Sequence, residues 1–189
     1  MTETTADPRA SEKRRRIIEA AWRLALRSGL RATTMEALAR EAGVAKGTLY
    51  AHFPDKDAVF DGAVADLLVE LAVAFDRGML SDGPIAERIG AALAGKYGIV
   101  ARAIEGSSHA GEILAAHHRY GPRVAAFDQR VESEVAAALA KAGVADPAAL
   151  ARIVIGAAGG VVRALPGVEA TEGAIRLVCR RLIEPATRQ

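Results

Sequence analysis

The sequence predicts an all-α protein. About half of its 189 residues (51%) are hydrophobic but only 4% are aromatic, so the core must consist mainly of Ala, Leu, Ile and Val. Alanine and leucine favour helices. Apolar residues also recur at intervals of three and four along most of the chain, which is the spacing of one helix face. We find no convincing strand pattern, and the fold class follows from these observations.

Nine helices are expected from this periodicity and from the residues that interrupt it. Gly29, Gly43 and Gly143 are placed to end helices, Pro54 stops another, and Asp146 followed by Pro147 begins one. The predicted helices span, in order, residues 11–28, 34–42, 45–53, 56–78, 85–104, 109–119, 123–142, 147–165 and 171–185.

The second predicted helix is expected to begin with a capping box. Thr33 is followed three residues later by Glu36. The threonine oxygen can accept a hydrogen bond from a first-turn amide while the glutamate reaches back to the cap residue. Gly43 then ends the helix, and the next helix begins two residues later. Two short helices joined by a glycine-containing turn form a helix-turn-helix pattern.

The third predicted helix has two contrasting faces. At about 100° per residue, Ala45, Leu49 and Phe53 fall on one side, where they would anchor the helix to its own domain. Gly47 and Ala51 keep the opposite side narrow. The residues that can donate hydrogen bonds are Lys46, Thr48, Tyr50 and His52. Small residues interspersed with donors suit a helix that enters the major groove of DNA.

Positive charge is concentrated in the same region. Residues 1–56 contain 11 Lys and Arg against 7 Asp and Glu, whereas residues 57–189 contain 14 against 16. A phosphate backbone would favour this distribution. Two interpretations are open for the basic run 13–16: a solvated helix face, or a contact with phosphate or the minor groove.

Residues 42–56 read AGVAKGTLYAHFPDK and resemble the DNA-binding signature of the TetR family of bacterial transcriptional regulators. The similarity extends back through Ile17–Gly29 and forward to Ala58–Phe60, which is about the first third of the chain. The resemblance implies a nine-helix architecture. A three-helix DNA-binding domain at 1–56 would be joined by a helix at 57–78 to a ligand-binding and dimerisation domain at 79–189.

The resemblance also implies which residues contact DNA. The phosphate candidates are Thr34, Tyr50, His52 and Lys56, and the base-edge candidates are Lys46, Gly47, Thr48 and Ala51. Glu36 departs from this pattern, because a carboxylate would repel phosphate, and we assign it to the helix cap.

A homodimer that binds a palindromic operator is the assembly expected of such a domain. In the family the last two long helices of each subunit form the dimer interface. The eighth helix here contains Gly156-Ala157-Ala158-Gly159-Gly160, which suggests close approach of another backbone, although core packing within one subunit is the alternative. The interface candidates are Gly156, Gly160, Val161, Ile175, Val178 and Leu182.

The family further implies a small-molecule effector that binds among helices five to eight and shifts the dimer between DNA-competent and incompetent states. The aliphatic composition predicts a largely apolar effector. Repression is expected because most of the family represses. Residues that would shape the pocket are Phe75, Tyr97, Arg102, His109, His117, Tyr120 and Phe127.

Catalytic and metal-binding patterns are weak. The sequence contains no GxSxG, Walker, GxGxxG or HExxH motif, and we expect neither enzyme activity nor a cofactor. The alternative function is a metal-sensing regulator that uses His109, Glu112 and His117, with His118 beside them. Cys179 is interpreted as a small buried hydrophobe rather than a redox or intermolecular residue. We see neither an apolar leader nor a run of about 18 apolar residues, and we expect a soluble cytoplasmic protein.

Overall fold

The computed structural model describes residues 8–115, 121–165 and 167–187. Within these residues the chain forms nine helices and no strand, which confirms the all-α prediction. The helices are α1 (Pro8–Ser28), α2 (Met35–Ala42), α3 (Lys46–His52), α4 (Lys56–Met79), α5 (Ile85–Ile104), α6 (Ala110–Ala115), α7 (Gly121–Lys141), α8 (Pro147–Ala164) and α9 (Val168–Ala186).

Two compact units make up the chain. The first comprises Met1–Leu67 and Gly106–Tyr120, and the second comprises Leu68–Glu105 and Gly121–Gln189. The described part of the first unit is therefore 8–67 and 106–115. The segment that carries α6 groups with the amino-terminal helices, whereas the sequence predicts it within the regulatory domain.

Aliphatic side chains fill the core of the first unit. The predicted inner face of α1 is buried, including Ile17, Ala21 and Leu24. Leu38 of α2 and Leu49 of α3 are likewise fully buried. Burial of these side chains is the main source of stability of such short helices, since helices of seven or eight residues are marginal in isolation.

The cap of α2 differs from the prediction. Thr34, not Thr33, is the cap residue, and its Oγ1 accepts a hydrogen bond from the Ala37 amide at 3.1 Å. Thr33 is buried and its hydroxyl donates to the Gly29 carbonyl at 3.0 Å. Either of the adjacent threonines could have capped α2. Because Thr33 is buried against the preceding turn, Thr34 is the cap. The predicted capping box of Thr33 and Glu36 is therefore wrong.

In the second unit, α5 packs mainly along α9, and α8 packs against α7 and α9. Two glycines permit close contact here: a Cβ at Gly78 would clash with the backbone of Ala92, and a Cβ at Gly98 with the side chain of Glu172. Helix α9 begins at Val168 rather than Thr171, because Gly167 turns the chain with a positive φ of 84°.

Cys179 lies on α9 with no exposed surface. Burial raises the pKa of its thiol to about 12. A thiol that stays protonated at neutral pH is a poor nucleophile. The prediction that Cys179 is a small buried hydrophobe is confirmed.

Helix α8 bears on the expectation that no run of about 18 apolar residues occurs. It is 18 residues long with a mean hydropathy of 1.4, and by length and composition alone it qualifies as a membrane-spanning helix. Only 22% of it is buried within the described chain. It also carries two charged residues, Arg152 and Arg163. A helix of this composition occurs in soluble proteins when another surface covers it.

Candidate nucleic-acid interface

The turn between α2 and α3 is held by backbone and side-chain hydrogen bonds. Gly43 adopts the left-handed conformation (φ 63°, ψ 41°), and the Val44 amide donates to the Ala39 carbonyl at 3.0 Å. Arg16 of α1 donates to the carbonyls of Ala42 (2.6 Å) and Gly43 (3.1 Å). The guanidinium thus satisfies the last carbonyls of α2 and holds the turn against α1.

Helix α3 is anchored through one side and open on the other. Leu49 is fully buried and Phe53, just after the helix, is 7% exposed. Ala45, which was predicted on the same inner side, is exposed at the cap position, where the chain has not yet entered the helix. Gly47, Tyr50 and Ala51 are exposed on the outer side, and Tyr50 retains 44% of its accessible surface.

The outer face of α3 is narrow. A Cβ placed on Gly47 would meet nothing within 4 Å. Glycine there is not required by internal packing, and it costs about 1 kcal/mol of helix stability relative to alanine. Thr48 and His52 lie at the edges of this face, and both are half-buried. The arrangement leaves space for a surface to approach the helix backbone.

Lys46 of α3 pairs with Glu36 of α2. The ammonium donates to Glu36 Oε1 at 2.7 Å, and both side chains are well exposed. The hydrogen bond from Lys46 lowers the pKa of Glu36, and the same hydrogen bond raises the pKa of Lys46. The pair explains why an acidic residue lies in this basic region, and it replaces the predicted capping role of Glu36.

Two of the predicted phosphate contacts also have partners within the protein. Thr34 is exposed and caps α2 through its oxygen, which leaves its hydroxyl proton available. Lys56, the first residue of α4, donates to the carbonyls of Leu30 (3.2 Å) and Arg31 (3.5 Å). In this structure Lys56 therefore holds the α1–α2 connection.

The basic run 13–16 is largely engaged within the domain. Arg14 binds Asp66 of α4 at 2.8 Å and lies 5.9 Å from the centre of the Phe53 ring. Arg15 pairs with Glu12 and Glu19 on its own helix, and Arg16 holds the α2–α3 turn. Structural roles thus account for these three arginines, and this favours neither of the two interpretations made from the sequence.

Glu41 connects α2 to α1. Its two oxygens accept hydrogen bonds from Arg23 and Arg27, both at 2.9 Å. The hydrogen bond from Arg27 and then that from Arg23 lower the pKa of Glu41. This bridge fixes the orientation of α2, and through the short turn that of α3.

The α6 segment lies against the α1–α2 connection of its own unit. Glu112 Oε1 accepts a hydrogen bond from the Arg31 amide at 3.2 Å, and Ser107 donates to the Leu26 carbonyl at 2.7 Å. His109 Nδ1 is 3.7 Å from Glu112 Oε2. His109 therefore belongs to the first unit, and its assignment to the effector pocket stays a prediction.

The metal-sensing alternative gains no support from the described residues. They contain no group of three His, Cys, Asp or Glu that would hold an ion. Glu112 is already engaged by Arg31. His117 and His118, as well as the pocket candidate Tyr120, lie outside the described residues.

The remaining pocket candidates have different environments. Phe75 and Phe127 are buried, Tyr97 is half-buried and Arg102 is exposed on α5. Tyr97 donates a hydrogen bond to the Ile155 carbonyl of α8 at 3.5 Å. Sequence reasoning missed Lys96, which is 4% exposed and binds Asp128. Its position beside Tyr97, on the predicted inner side of the fifth helix, was the available signal.

The residues predicted at the dimer interface differ in how far they are buried within the subunit. Ile175 is fully buried within the subunit and cannot contribute to an interface, so that prediction is wrong. A Cβ added at Gly156 or Gly160 of α8 would meet no atom within 4 Å, and Leu182 of α9 is 37% exposed. Val161 and Val178 are half-buried. Two exposed residues were not predicted: Ile153 at 56% and Leu177 at 51%.

Comparison with known proteins agrees with this architecture. The model of the tetR family of bacterial regulatory proteins matches residues 17–63. The chain is 35% identical over 82 residues to an uncharacterised HTH-type transcriptional regulator of Bacillus subtilis, YhgD, with 43% of each chain covered. It is also 35% identical over 78 residues to the HTH-type transcriptional repressor KstR of Mycolicibacterium smegmatis, covering 41% of this chain and 38% of KstR.

The alignments with these curated relatives span about two fifths of their length. The likeness in fold extends further. A transcriptional regulator from Rhodococcus sp. RHA1 superimposes with a TM-score of 0.73 over 92% of this chain and 97% of its own, at 20% identity. Residues 17–63 thus carry the helix-turn-helix domain of the TetR family of bacterial transcriptional regulators, and the chain has the fold of this solved regulator.

Proposed function

We propose that the protein is a homodimeric, effector-responsive transcriptional repressor that inserts α3 of each subunit into the major groove of a palindromic operator. The observation that carries the proposal is the outer face of α3. Gly47 and Ala51 leave it narrow, and Lys46 and Tyr50 supply donors beside them. Phosphate contacts would set the register, and base-edge contacts would select the sequence.

The exposure and charge of the residues on and beside α3 support an approach of DNA to this face. The Lys46–Glu36 pair is exposed, so its ammonium can exchange the carboxylate for a phosphate or base edge without desolvating a buried charge. Thr34 and Tyr50 are exposed phosphate candidates. KstR is named a repressor, and we extend repression to this chain on that similarity.

The α8–α9 surface supports a dimer. Ile153, Leu177 and Leu182 are exposed apolar side chains on these helices, and Gly156 and Gly160 lie on α8 with open space above them. Apolar surface of this kind marks protein–protein contact in soluble proteins. Two copies packed through α8 and α9 would cover it and would present two α3 helices to two half-sites.

The DNA-binding part of the proposal is tested by selection from random duplex DNA. The purified protein should enrich one sequence with dyad symmetry. Tyr50→Ala should bind that sequence about tenfold more weakly and with a shallower dependence on salt. The control is Val73→Ala, which also alters an exposed helical side chain (61%). Failure to enrich any sequence at low salt would refute the proposal.

The dimer is tested separately with Gly160→Glu. Because a Cβ at this position would meet no neighbouring atom within 4 Å, we expect the substitution to leave the subunit packing intact. It should raise the dimer dissociation constant at least about tenfold, since it places a charge in an apolar interface. Sedimentation velocity measures the mass, and Gly111→Glu on α6, which also has open space, is the matched control. An unchanged dimer would place the interface elsewhere.

A further inference from the structure

Lys96 of α5 is the one charged residue that is buried in the described part of the chain. Its Nζ donates to Asp128 Oδ1 of α7 at 2.9 Å. The same nitrogen lies 4.7 Å from the centre of the Tyr97 ring and 5.2 Å from that of Phe127. One carboxylate and the faces of two aromatic rings thus surround the ammonium.

The two partners are buried to different degrees. The side chain of Lys96 is 6% exposed, whereas that of Asp128 is 40% exposed. The Asp128 carboxylate therefore still reaches water when the pair is separated, whereas the ammonium does not. Any ligand that separates the pair must leave the ammonium with a new anionic partner, because an unpaired buried charge is strongly destabilising.

We propose that Lys96 receives the anionic group of an organic acid effector, which displaces Asp128 and rests its apolar body on Tyr97 and Phe127. This inference deepens the effector response described above and rests on it. A cationic effector would compete for Asp128 and leave Lys96 buried without a counter-charge. A neutral effector could accept a hydrogen bond from the lysine but would leave its buried charge without a counter-charge. The asymmetry of the pair therefore selects an anion.

The site connects three helices. Lys96 and Tyr97 are on α5, Asp128 and Phe127 are on α7, and the Tyr97 hydroxyl donates to Ile155 of α8. Displacement of Asp128 breaks the hydrogen bond between α5 and α7, and the ligand takes the place of Asp128 as the partner of Lys96. Binding would thus change how α7 is held within the second unit, which is a differential contact of the kind that shifts a two-state equilibrium.

Chemical rescue tests the inference without knowledge of the natural effector. Asp128→Ala removes the carboxylate, and Asp128→Asn is the milder variant if the first does not fold. Melting temperatures are measured with acetate, butyrate and octanoate, each against chloride at the same ionic strength and against the matching primary amide. We expect the carboxylates to recover at least half of the lost melting temperature in a saturable manner. Affinity should rise with chain length, and the amides should have no effect.

Two controls make the result specific. The double variant Lys96→Met/Asp128→Ala should not respond to carboxylates. Nor should Asp76→Ala, which disrupts a partly exposed pair with Arg130 in the same unit. Absence of rescue by all three acids, or equal rescue of the double variant, would overturn the inference. Rescue is measured without DNA, so its failure leaves the operator proposal standing, and failure of operator selection leaves a positive rescue intact.

Discussion

Two lysine–carboxylate pairs of nearly equal length have opposite environments. Lys46 and Glu36 are 2.7 Å apart with side chains 59% and 61% exposed, whereas Lys96 and Asp128 are 2.9 Å apart with side chains 6% and 40% exposed. The first pair lies on the outer face of the helix-turn-helix and the second lies in the interior of the second unit. Distance alone therefore does not distinguish the two pairs.

Burial decides what each pair can do. In water the attraction between two charges is weak and screened, so an exposed ammonium exchanges partners readily. A buried ammonium loses its hydration, and its partner can be replaced only by another anion. The exposed pair suits transient contact with a phosphate backbone, and the buried pair suits selective recognition of one ligand charge.

The largest expected effect concerns the surface around Lys46. Gly47→Leu should raise helix propensity and leave the melting temperature equal or higher, because a Cβ at this exposed position meets nothing within 4 Å. It should also weaken operator binding about 100-fold, since the branched side chain prevents close approach to the groove. Fluorescence anisotropy with labelled operator and thermal melting measure the two effects.

Gly111→Leu, on the exposed α6, is the matched control for added bulk. If Gly47→Leu kept full operator affinity, α3 would not enter the groove. The exposed Lys46–Glu36 pair would then have no role in DNA contact.

The buried pair should respond asymmetrically to truncation. Asp128→Ala should lower the free energy of unfolding by about 2 kcal/mol, because it leaves the Lys96 ammonium buried without a counter-charge. Lys96→Met should change it by less than about 1 kcal/mol, because the remaining carboxylate reaches water. Urea unfolding at pH 7 measures both values. Equal losses would show that Lys96 is hydrated, contrary to its burial.

Disrupting the exposed pair should strengthen DNA binding, which is opposite in direction to the effect of Gly47→Leu and smaller. Glu36→Gln frees Lys46 and removes a negative charge from the DNA-facing surface. Operator affinity should rise about threefold at low salt, and the gain should shrink as salt increases. Titrations at two salt concentrations measure it. Glu134→Gln, which disrupts an Arg130 pair in the second unit, is the control. Weaker binding by Glu36→Gln would show that the pair positions Lys46 instead of restraining it.

The smallest effect concerns the bridge that orients α2. The pKa of Glu41 is lowered by its hydrogen bonds with Arg27 and Arg23, so its carboxylate stabilises the fold above the unfolded-state pKa of about 4.3. That contribution is lost as pH falls through the folded-state pKa. Glu41→Gln should therefore melt slightly below the wild type at pH 7, and the difference should shrink as pH falls through the folded-state pKa of Glu41. A difference that stays constant over the whole acidic range in which the protein remains folded would exclude the ionic origin.

Local patterns were sufficient where the decisive contacts are close in the chain. The buried Leu49 and the open Gly47 follow from helical spacing alone, and the turn at Gly43 follows from its glycine. Local patterns could not decide whether Thr33 or Thr34 caps α2, because either hydroxyl can cap a helix. Only the hydrogen bond from the buried Thr33 to Gly29 distinguishes the two residues. Ile175 was assigned to the wrong side of α9 for a similar reason: periodicity identifies apolar faces but not the surface that each one meets.

The order of residues by itself determined the helices, the helix-turn-helix and its resemblance to the TetR family, since these depend on interactions over three or four residues and on a contiguous motif. Tertiary structure alone decided that α6 lies on the α1–α2 connection and that Lys96 meets Asp128 across 32 positions. Pairing of that kind depends on how separate helices pack. A lysine in a helical sequence has the same local signature whether it faces water or two aromatic rings.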